Sequence, residues 1–458
     1  MLNSICHKIS EVILDVVSRQ TEIRDNAIAN PTAYYNSIYR LQAGVLGIVF
    51  GDDLPKASLF AQVLNELTDV EEEALNQFKT WFTKQEFIRA NLSHLYEMML
   101  LMEFPIADGK LVADAENLDS IGSFYTPDEL ADKIVQFTLD NYVESNTGIP
   151  KFSSSNKTES QVQRVHGLFL GTSFADYSCG TGSFLLSILR YYKTHLTFSK
   201  QELKKIALNF YAIEADSLSL EIAKLQVLEA IGNMNLYSGL NESFVLGNPL
   251  IAPNSGYPDF DFGHEFYYHN GLAIEPNHIP KCDVIIGNPP WGEVGFDLGF
   301  FCHIVLPKVN EIQSQQELET VLGKLETSHP LLFDWLLEHE EATDLAVDSI
   351  YEDSRFQNST NGGLHTNVLF TELCNSLCSE RGTVGLVLKG STLSDSVNKQ
   401  LVKRLSDQNR ICSRYDFLNS NRIFNIDSEE TFSILILGNH DSSQRPVHKT
   451  NLTKLNEI

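Results

Sequence analysis

The residues best equipped for chemistry lie in one short segment, Asp283-Val-Ile-Ile-Gly-Asn-Pro-Pro-Trp291. Apolar and small residues after the acid predict a buried strand, and two prolines, which lack backbone N–H groups, must end it. The tip then presents the Asn288 amide, the Pro289 carbonyl and the Trp291 indole. Two oxygen acceptors can take both N–H protons of an exocyclic amine while the indole stacks on its ring, which frees the nitrogen lone pair for attack on a methyl group. A strand-terminating Asn-Pro turn is the alternative interpretation.

A second segment predicts a ligand-binding turn. Residues 174–184 read Phe-Ala-Asp-Tyr-Ser-Cys-Gly-Thr-Gly-Ser-Phe, a strand end carrying Asp176, then Gly180 and Gly182, then an apolar helix. Glycines at a strand-to-helix turn let backbone N–H groups approach a ligand closely. A dinucleotide fingerprint would have a third glycine where this chain has leucine, so a nicotinamide cofactor is disfavoured. The next predicted strand ends in Glu214, an acid suited to binding ribose hydroxyls.

The order of these motifs resembles the γ-class amino-methyltransferases, which act on adenine N6 in DNA. In this resemblance Gly122-Ser-Phe-Tyr-Thr-Pro127 is the N-terminal motif and residues 174–184 form the S-adenosylmethionine loop. Residues 288–291 are the catalytic tetrapeptide, and Arg422-Ile-Phe424 carries the aromatic residue that stacks on the flipped base. The resemblance spans roughly residues 120 to 440. It is specific because several independent motifs occur in the expected order.

The resemblance implies a doubly wound, Rossmann-like α/β domain with a mixed, mostly parallel sheet that binds S-adenosylmethionine and no metal. It implies that Asn288, Pro289, Pro290 and Trp291 are catalytic and that Trp291 and Phe424 clamp the base. The cofactor-binding residues that it implies are Tyr125, Thr126, Pro127, Asp176, Ser178, Gly180, Gly182, Glu214, Asn248 and Asn288.

Two positions depart from the family pattern. Asn248 stands where the family usually has an acid, although an amide oxygen can still accept a hydrogen bond from the cofactor adenine. Lys389-Gly390 stands where the family often has proline. Lys389 is interpreted either as a phosphate contact or as a solvated lysine at a strand end.

The sequence predicts three regions. These are a helical N-terminal domain at 1–118, a methyltransferase domain at 119–440 with an acidic helical insertion at about 296–354, and a polar tail at 441–458. Two further segments are predicted to be irregular, Ser145–Glu159 as a loop and Pro253–Pro280 as a lid or packing loop. Predicted helices in the N-terminal domain cover Ile9–Arg19, Pro31–Leu46, Leu59–Phe87 and Ala90–Glu103.

Composition is that of an ordinary soluble globular protein, with 43% hydrophobic and 21% charged residues in 458. Seven scattered cysteines are interpreted as reduced thiols, which predicts a cytoplasmic protein, and the resemblance implies a bacterial one. Cys179 lies in the glycine loop and suggests a nucleophile, but no partner base accompanies it. The first twenty residues fit neither a signal peptide nor a membrane span.

The net charge of −26 should repel nucleic acid phosphates. From Glu380 onward, however, 11 Lys and Arg face 9 acids, so this part is mildly basic while the preceding part carries −28. Arg404, Arg410, Arg414 and Arg422 all lie in the mildly basic part. The imbalance predicts that basic surface for DNA binding is borrowed from another protein.

The predicted function is therefore a DNA methyltransferase, a modification subunit of a restriction–modification or antiphage system acting on double-stranded DNA. The methyltransferase part of type IIG enzymes and type I modification subunits are the similar layouts. Sequence recognition is expected from a separate specificity subunit, with a nuclease or motor subunit as a further partner and no membrane, unless the chain is a piece of a longer one. The alternatives are a non-catalytic, cofactor-sensing subunit of a defence complex, or a methyltransferase acting on RNA or protein glutamine.

Overall fold

The computed structural model describes residues 2–19, 31–82, 92–100, 106–107, 110–111, 126–154, 156–253, 273–295, 314–424, 428–439 and 445–458. Among them, one compact unit takes the residues within 1–121 and 295–345, and another takes those within 122–259, 270–294 and 346–458. The described part of the acidic insertion up to residue 345 is thus grouped with the N-terminal helices. Tyr125, most of the predicted 253–280 loop and residues 296–313 lie outside the described residues.

The first unit is built mainly of helices. The predicted helix Leu59–Phe87 is interrupted, because Thr68 and Glu71 cap a new helix start: the Thr68 N–H donates to Glu71 Oε2 at 2.8 Å and the Glu71 N–H to Thr68 Oγ1 at 3.4 Å. The helices are Leu2–Arg19, Pro31–Phe50, Leu59–Asn65, Asp69–Phe82, Leu92–Leu100, Gln315–Ser328 and Pro330–Glu352, the last of which contains the boundary with the second unit. Two short strands, Ile106–Ala107 and Lys110–Leu111, pair antiparallel.

The second unit contains an eight-stranded sheet. Its strands are β1 (Phe174–Asp176), β2 (Phe210–Glu214), β3 (Phe244–Leu246), β4 (Cys282–Gly287), β5 (Cys378–Lys389), β6 (Ile411–Leu418), β7 (Thr431–Leu437) and β8 (Val447–Leu452). They lie in the order β8-β6-β7-β5-β4-β1-β2-β3. Every neighbouring pair is parallel except the two that involve β7, which is antiparallel to β5 and β6. The mixed, mostly parallel sheet expected from the resemblance is confirmed.

Helices connect and cover the parallel strands. They are Asp128–Thr147, Glu159–Phe169, Ser183–His195, Lys200–Leu208, Ser217–Ala230, Thr366–Leu377 and Lys399–Asp407. A capping box at Ser199 begins the extra helix between β1 and β2. Buried aliphatic residues of β1, β2, β4, β5 and β7 form a continuous core with the helix Thr366–Leu377. No helix in the described part of the chain is long and apolar enough to cross a bilayer.

The strand β8 lies within the segment predicted as a polar tail. It pairs with β6 in parallel, and all but the last of its residues are exposed. Because an edge strand with so little burial shows no apolar alternation, its sequence pattern did not indicate a strand. The carboxyl ends of β4, β5, β6 and β8 therefore all lie at one edge of the sheet.

The chain order reverses between β1 and β4. One half of the sheet proceeds from β1 to β3, and the other from β4 outward, so β1 and β4 are neighbours with connections leaving in opposite directions. In open α/β sheets, ligands bind in the crevice outside the carboxyl ends of the strands at such a switch point. Asp176 ends β1 and Asn288 follows β4, which places the two predicted motifs on either side of this crevice.

Candidate active site

Strand β4 is anchored at its amino end by a half-buried polar network. Asp283 Oδ2 accepts hydrogen bonds from the Ser173 N–H at 3.0 Å and the Ser173 hydroxyl at 2.9 Å. Its Oδ1 accepts from the Ser379 hydroxyl at 2.8 Å. Because these residues begin β5 and precede β1, Asp283 sets the strands in register, and the carboxyl end of β4 delivers Asn288 at a fixed height.

The Asn288 amide is already engaged by its neighbour in the tetrapeptide. The Trp291 indole N–H donates to Asn288 Oδ1 at 3.0 Å, and both residues are half-buried. Among the described residues, none donates to the Pro289 carbonyl. The Pro289 carbonyl is therefore available, and Asn288 Oδ1, which has two lone pairs, can accept one further hydrogen bond beside that of the indole.

Trp291 and Phe424 lie together, but not as two faces of a clamp. Their ring centroids are 5.5 Å apart at an interplanar angle of 64°. A base stacked between two parallel rings needs a separation of about 7 Å, twice the van der Waals contact distance between carbon atoms. The contact of the two rings thus occupies the space that the predicted base would take, and the clamp stays a prediction for the substrate-bound protein.

Phe424 is held in place by Asn419, a residue that the sequence did not indicate. The fully buried Asn419 side chain accepts from the Phe424 N–H at 3.0 Å and donates to the Phe424 carbonyl at 3.1 Å. The Phe424 ring is 2% exposed and packs edge-on against Phe432, with centroids 5.0 Å apart. A buried asparagine that satisfies another residue's backbone leaves no periodic signal in sequence.

The glycine loop after β1 has the conformation that its glycines predict. Gly180 and Gly182 have φ of 51° and 91°, which side chains rarely allow. A Cβ on Gly182 would also lie 3.1 Å from the Ala223 Cβ, on the helix Ser217–Ala230. Glycine is therefore required at 182 both for the turn and for the packing of two helices.

Asp176 connects the glycine loop with the tetrapeptide. The carboxyl is buried; Oδ1 accepts from the Ser178 N–H at 3.1 Å, and Oδ2 has no hydrogen-bond partner among the described residues. Burial, as the main cause, and the nearby Glu214, as a smaller one, together raise the pKa of Asp176 to about 8. A Cβ on Gly287 would lie 3.0 Å from Asp176 Oδ1, so the backbone that precedes Asn288 passes directly beside this carboxyl.

Glu214 ends β2 and ties its own loop to the glycine loop. Oε2 accepts from the Gly180 N–H at 2.7 Å, and Oε1 accepts from the N–H groups of Ala215 and Asp216 at 2.9 and 3.2 Å. Burial raises the pKa of Glu214 to about 7, and Asp216 adds to the effect. A carboxylate has about four lone-pair sites, so this one can still accept hydrogen bonds from hydroxyl groups.

The remaining cofactor candidates are placed as follows. Asn248 is buried, and its Oδ1 accepts from the Leu250 N–H at 3.0 Å, so this amide oxygen shapes the turn after β3. Thr126 is buried, and Pro127 precedes the helix Asp128–Thr147. Ser178 is half-buried in the glycine loop. The structure contains no ligand, so the predicted contacts of these residues stay predictions.

For Cys179 and Lys389, the observed contacts favour one of the two interpretations that the sequence left open. The Cys179 thiol is buried and donates to the Gly180 carbonyl, and burial raises its pKa well above the usual value, which is unfavourable for a nucleophile. Lys389 Nζ lies 3.5 Å from Glu430 Oε1 and the side chain is 41% exposed, which favours a solvated lysine at the strand end over a phosphate contact.

The comparisons with known proteins identify the fold. No protein-family model and no curated protein matches the chain. Among solved structures, the DrdV–DNA complex matches 98% of this chain and 42% of its own, at 14% identity and a TM-score of 0.55. The ATP-dependent type ISP restriction–modification enzyme LlaBIII bound to DNA matches 98% of this chain and 30% of its own, at 13% identity and a TM-score of 0.51. A nuclease-deletion mutant of the type ISP enzyme LlaGI with a DNA substrate mimic matches 99% of this chain and 35% of its own, at 16% identity and a TM-score of 0.50.

The chain therefore spans less than half the length of each of these proteins. Identities this low show the fold alone. At that level, the resemblance to restriction–modification enzymes predicted from the motifs is confirmed, and the sheet order confirms the doubly wound, Rossmann-like fold.

Proposed function

We propose that this chain transfers a methyl group from S-adenosylmethionine to adenine N6 in double-stranded DNA. The observation that carries the proposal is the contact between the glycine loop and the segment before the tetrapeptide, at the switch point of the sheet. There the backbone at Gly287 passes beside the buried Asp176 of the glycine loop and leads directly into the Asn288–Trp291 acceptor set. A cation-binding loop and an amine-binding loop in contact are what methyl transfer from a sulfonium to an amine requires.

The residues of the glycine loop fit the cofactor. Bound S-adenosylmethionine would supply an electrophilic methyl group on a positively charged sulfur. The buried Oδ2 of Asp176 has no hydrogen-bond partner among the described residues and would carry the negative charge once a cation is bound, and Glu214 keeps capacity for ribose hydroxyls. Asn248 would accept from the adenine, and Tyr125, Thr126 and Pro127 would close over the methionine end, as the resemblance implies.

The tetrapeptide would bind and orient the target amine. Asn288 Oδ1 and the Pro289 carbonyl accept its two N–H groups, which draws the nitrogen toward tetrahedral geometry and directs its lone pair outward. The Trp291 indole, which donates to Asn288 Oδ1, would turn to stack on the base. The target base has to leave the helix to reach this position.

DNA is proposed over RNA or protein glutamine because of the resemblance at residues 122–127 and at Phe424. The net charge of −26 supports a second part of the proposal, that a separate specificity or DNA-recognition subunit supplies basic surface. The chain would then be the modification subunit of a bacterial restriction–modification or antiphage system, with a nuclease or motor subunit as a further partner, in the cytoplasm.

The proposal is tested by methyl transfer from labelled S-adenosylmethionine to unmethylated genomic DNA, with the chain alone and with proteins that co-purify from its native host. We expect label in N6-methyladenine when the partners are present. The substitution Asn288→Ala should reduce transfer by at least about 100-fold, because it removes one pre-organised hydrogen-bonding group from the reacting centre, while cofactor affinity stays nearly unchanged.

Asn439→Ala is the matched control. This exposed asparagine follows β7 at the opposite edge of the sheet, and its side chain donates to the Glu380 carbonyl at 2.8 Å. Loss of cofactor binding in Asn288→Ala would contradict the division of roles. Cofactor binding without label under any condition would favour the cofactor-sensing subunit, and label in RNA or protein would transfer the proposal to those substrates.

A further inference from the structure

The tetrapeptide cannot be held by its own backbone. Pro289 and Pro290 have no N–H groups, so no ladder of hydrogen bonds can continue from β4 through this segment. The segment after it is instead paired with residues that lie about seventy positions further along the chain. The Val294 N–H donates to the Leu364 carbonyl at 2.7 Å, and Glu293 and His365 form an isolated β-bridge.

Thr366 is the centre of this attachment. Its Oγ1 lies 2.6 Å from the Pro290 carbonyl and 2.9 Å from the Gly292 carbonyl, and it accepts from the Gly292 N–H at 3.1 Å. The Thr366 N–H also donates to the Gly292 carbonyl at 2.9 Å. A hydroxyl has one proton and two lone pairs, so Oγ1 donates to one carbonyl at a time while accepting from the amide.

Thr366 is itself rigidly placed. It is 2% exposed and begins the helix Thr366–Leu377, whose residues Val368, Leu369 and Leu373 are fully or almost fully buried in the core. Buried Glu372, six residues after Thr366 on the same helix, accepts hydrogen bonds from Asn358 and Ser359, which fixes the helix at a second point. The hydroxyl therefore contacts the tetrapeptide from a support that cannot easily shift.

Holding the Pro290 carbonyl restricts the direction of the Pro289 carbonyl. The rings fix φ of both prolines, and a residue that precedes proline is confined to extended conformations, so Pro289 has little remaining freedom. Once Pro290 and Gly292 are bound to Thr366, the Pro289 carbonyl that would accept the substrate amine and the backbone that carries Trp291 are both positioned.

We infer that Thr366 is a positioning residue for methyl transfer: its buried hydroxyl sets the geometry of the Asn288–Trp291 acceptor set without contacting substrate or cofactor. This inference rests on the proposed function for its effect on rate, but the contact itself does not depend on it. The role is specific to the hydroxyl group and not to the bulk of the side chain.

The test compares Thr366→Val, which keeps the shape and removes the hydroxyl, with Thr366→Ser, which keeps the hydroxyl. Thr371→Val is the matched control, because Thr371 is also fully buried on this helix but its hydroxyl donates only to the Asn367 carbonyl one turn back, at 2.7 Å. We expect Thr366→Val to lower kcat by about 10- to 100-fold, since small misplacements of reacting groups have effects of this order, with cofactor affinity unchanged. Thr366→Ser and Thr371→Val should stay within about threefold of the unsubstituted chain, because each leaves the Thr366 contact in place.

A second measurement separates this inference from the proposed function. Amide hydrogen exchange in the peptide covering residues 288–294 should be faster in Thr366→Val than in the unsubstituted chain and unchanged in Thr371→Val, because the Gly292 N–H loses its acceptor. Unchanged exchange in Thr366→Val would overturn the inference even if the chain proves inactive. Faster exchange with unaltered kcat, or an equal loss of kcat in Thr371→Val, would overturn the positioning role while leaving the methyltransferase proposal intact.

Discussion

Two carboxyl groups, the buried Asp176 and the half-buried Glu214, are the most perturbed acids at the candidate site. Burial raises their pKa to about 8 and about 7, well above the ordinary range for Asp and Glu. In the ligand-free chain at neutral pH, Asp176 is therefore mostly protonated. A bound cation would favour its ionised form, so the site is arranged to exchange a proton for a positively charged ligand.

This arrangement makes stability depend on pH. Because the folded pKa of each acid exceeds its unfolded value, the folded chain retains protons that the unfolded chain releases between about pH 4 and pH 8. Stability from these groups is complete below this window and declines as pH rises through it. We expect the Tm of the ligand-free chain to fall from pH 5 to pH 9, and Asp176→Asn to weaken that dependence.

Thermal unfolding at several pH values measures this effect. Glu129→Gln is the control, because Glu129 is exposed on the helix Asp128–Thr147 and should leave the slope unchanged. An equal slope in the unsubstituted chain and in Asp176→Asn would show that Asp176 is not the group that titrates.

At the scale of elements, the turn between β6 and β7 is unusually constrained. Asn419 binds the backbone of Phe424, and the Asn421 side chain donates to the Thr453 carbonyl, just after β8, at 3.0 Å. Arg422, which follows Asn421, has φ and ψ of 50°. This left-handed conformation costs a residue with a side chain about 1–2 kcal/mol. Such strain persists only where the surroundings enforce it, and it occurs often at functional sites.

The exposed side chain of Arg422 makes no ion pair with any residue that the structure describes. Arg404 and Arg414, in contrast, lie 3.5 and 2.7 Å from the carboxylates of Glu372 and Asp416, and Arg410 donates to Asn375. If the substrate is DNA, Arg422 is thus the arginine of this group that remains for a phosphate. We expect Arg422→Gln to reduce the slope of log K against log salt by about 0.9, the value for one lost phosphate contact.

Binding of a DNA duplex by the chain together with the proteins that co-purify with it, titrated at several salt concentrations, gives this slope. Arg445→Gln is the matched control, since Arg445 is exposed and precedes β8 at the opposite edge of the sheet. If Arg422→Gln and Arg445→Gln change the slope equally, the effect is non-specific electrostatic attraction, and the predicted phosphate contact of Arg422 is wrong.

For the molecule as a whole, the motifs predicted the sheet better than they predicted the contacts between side chains. The buried strands around β1, β4 and β5 are continuous apolar runs, and the glycine loop and tetrapeptide end two of them, so the position of the site at the carboxyl edge followed from their order. Thr366 and Asn419 could not be found in this way. Thr366 contacts a carbonyl 76 positions earlier in the chain, and such pairing is decided by the packing of a helix against the sheet.

The acidic and the mildly basic parts of the sequence form different parts of the sheet. The mildly basic part of the chain supplies most of β5 and the strands β6, β7 and β8, which is the half of the sheet from β4 outward without β4 itself. The Arg422 turn, Phe424 and the end of β8 border the tetrapeptide side of that half, whereas the other half, from β1 to β3, belongs to the acidic part. The strongly acidic remainder is the reason for proposing a separate DNA-recognition partner.

The hydrogen bond between Trp291 and Asn288 has a practical consequence. The chain has three tryptophans, and the other two, Trp81 and Trp335, belong to the helical unit. If Trp291 turns to stack on an incoming base, its indole is an intrinsic fluorophore at the candidate site. In a chain with phenylalanine at positions 81 and 335, its emission would report the arrival of the base separately from the methyl transfer that follows, so the two steps could be timed independently.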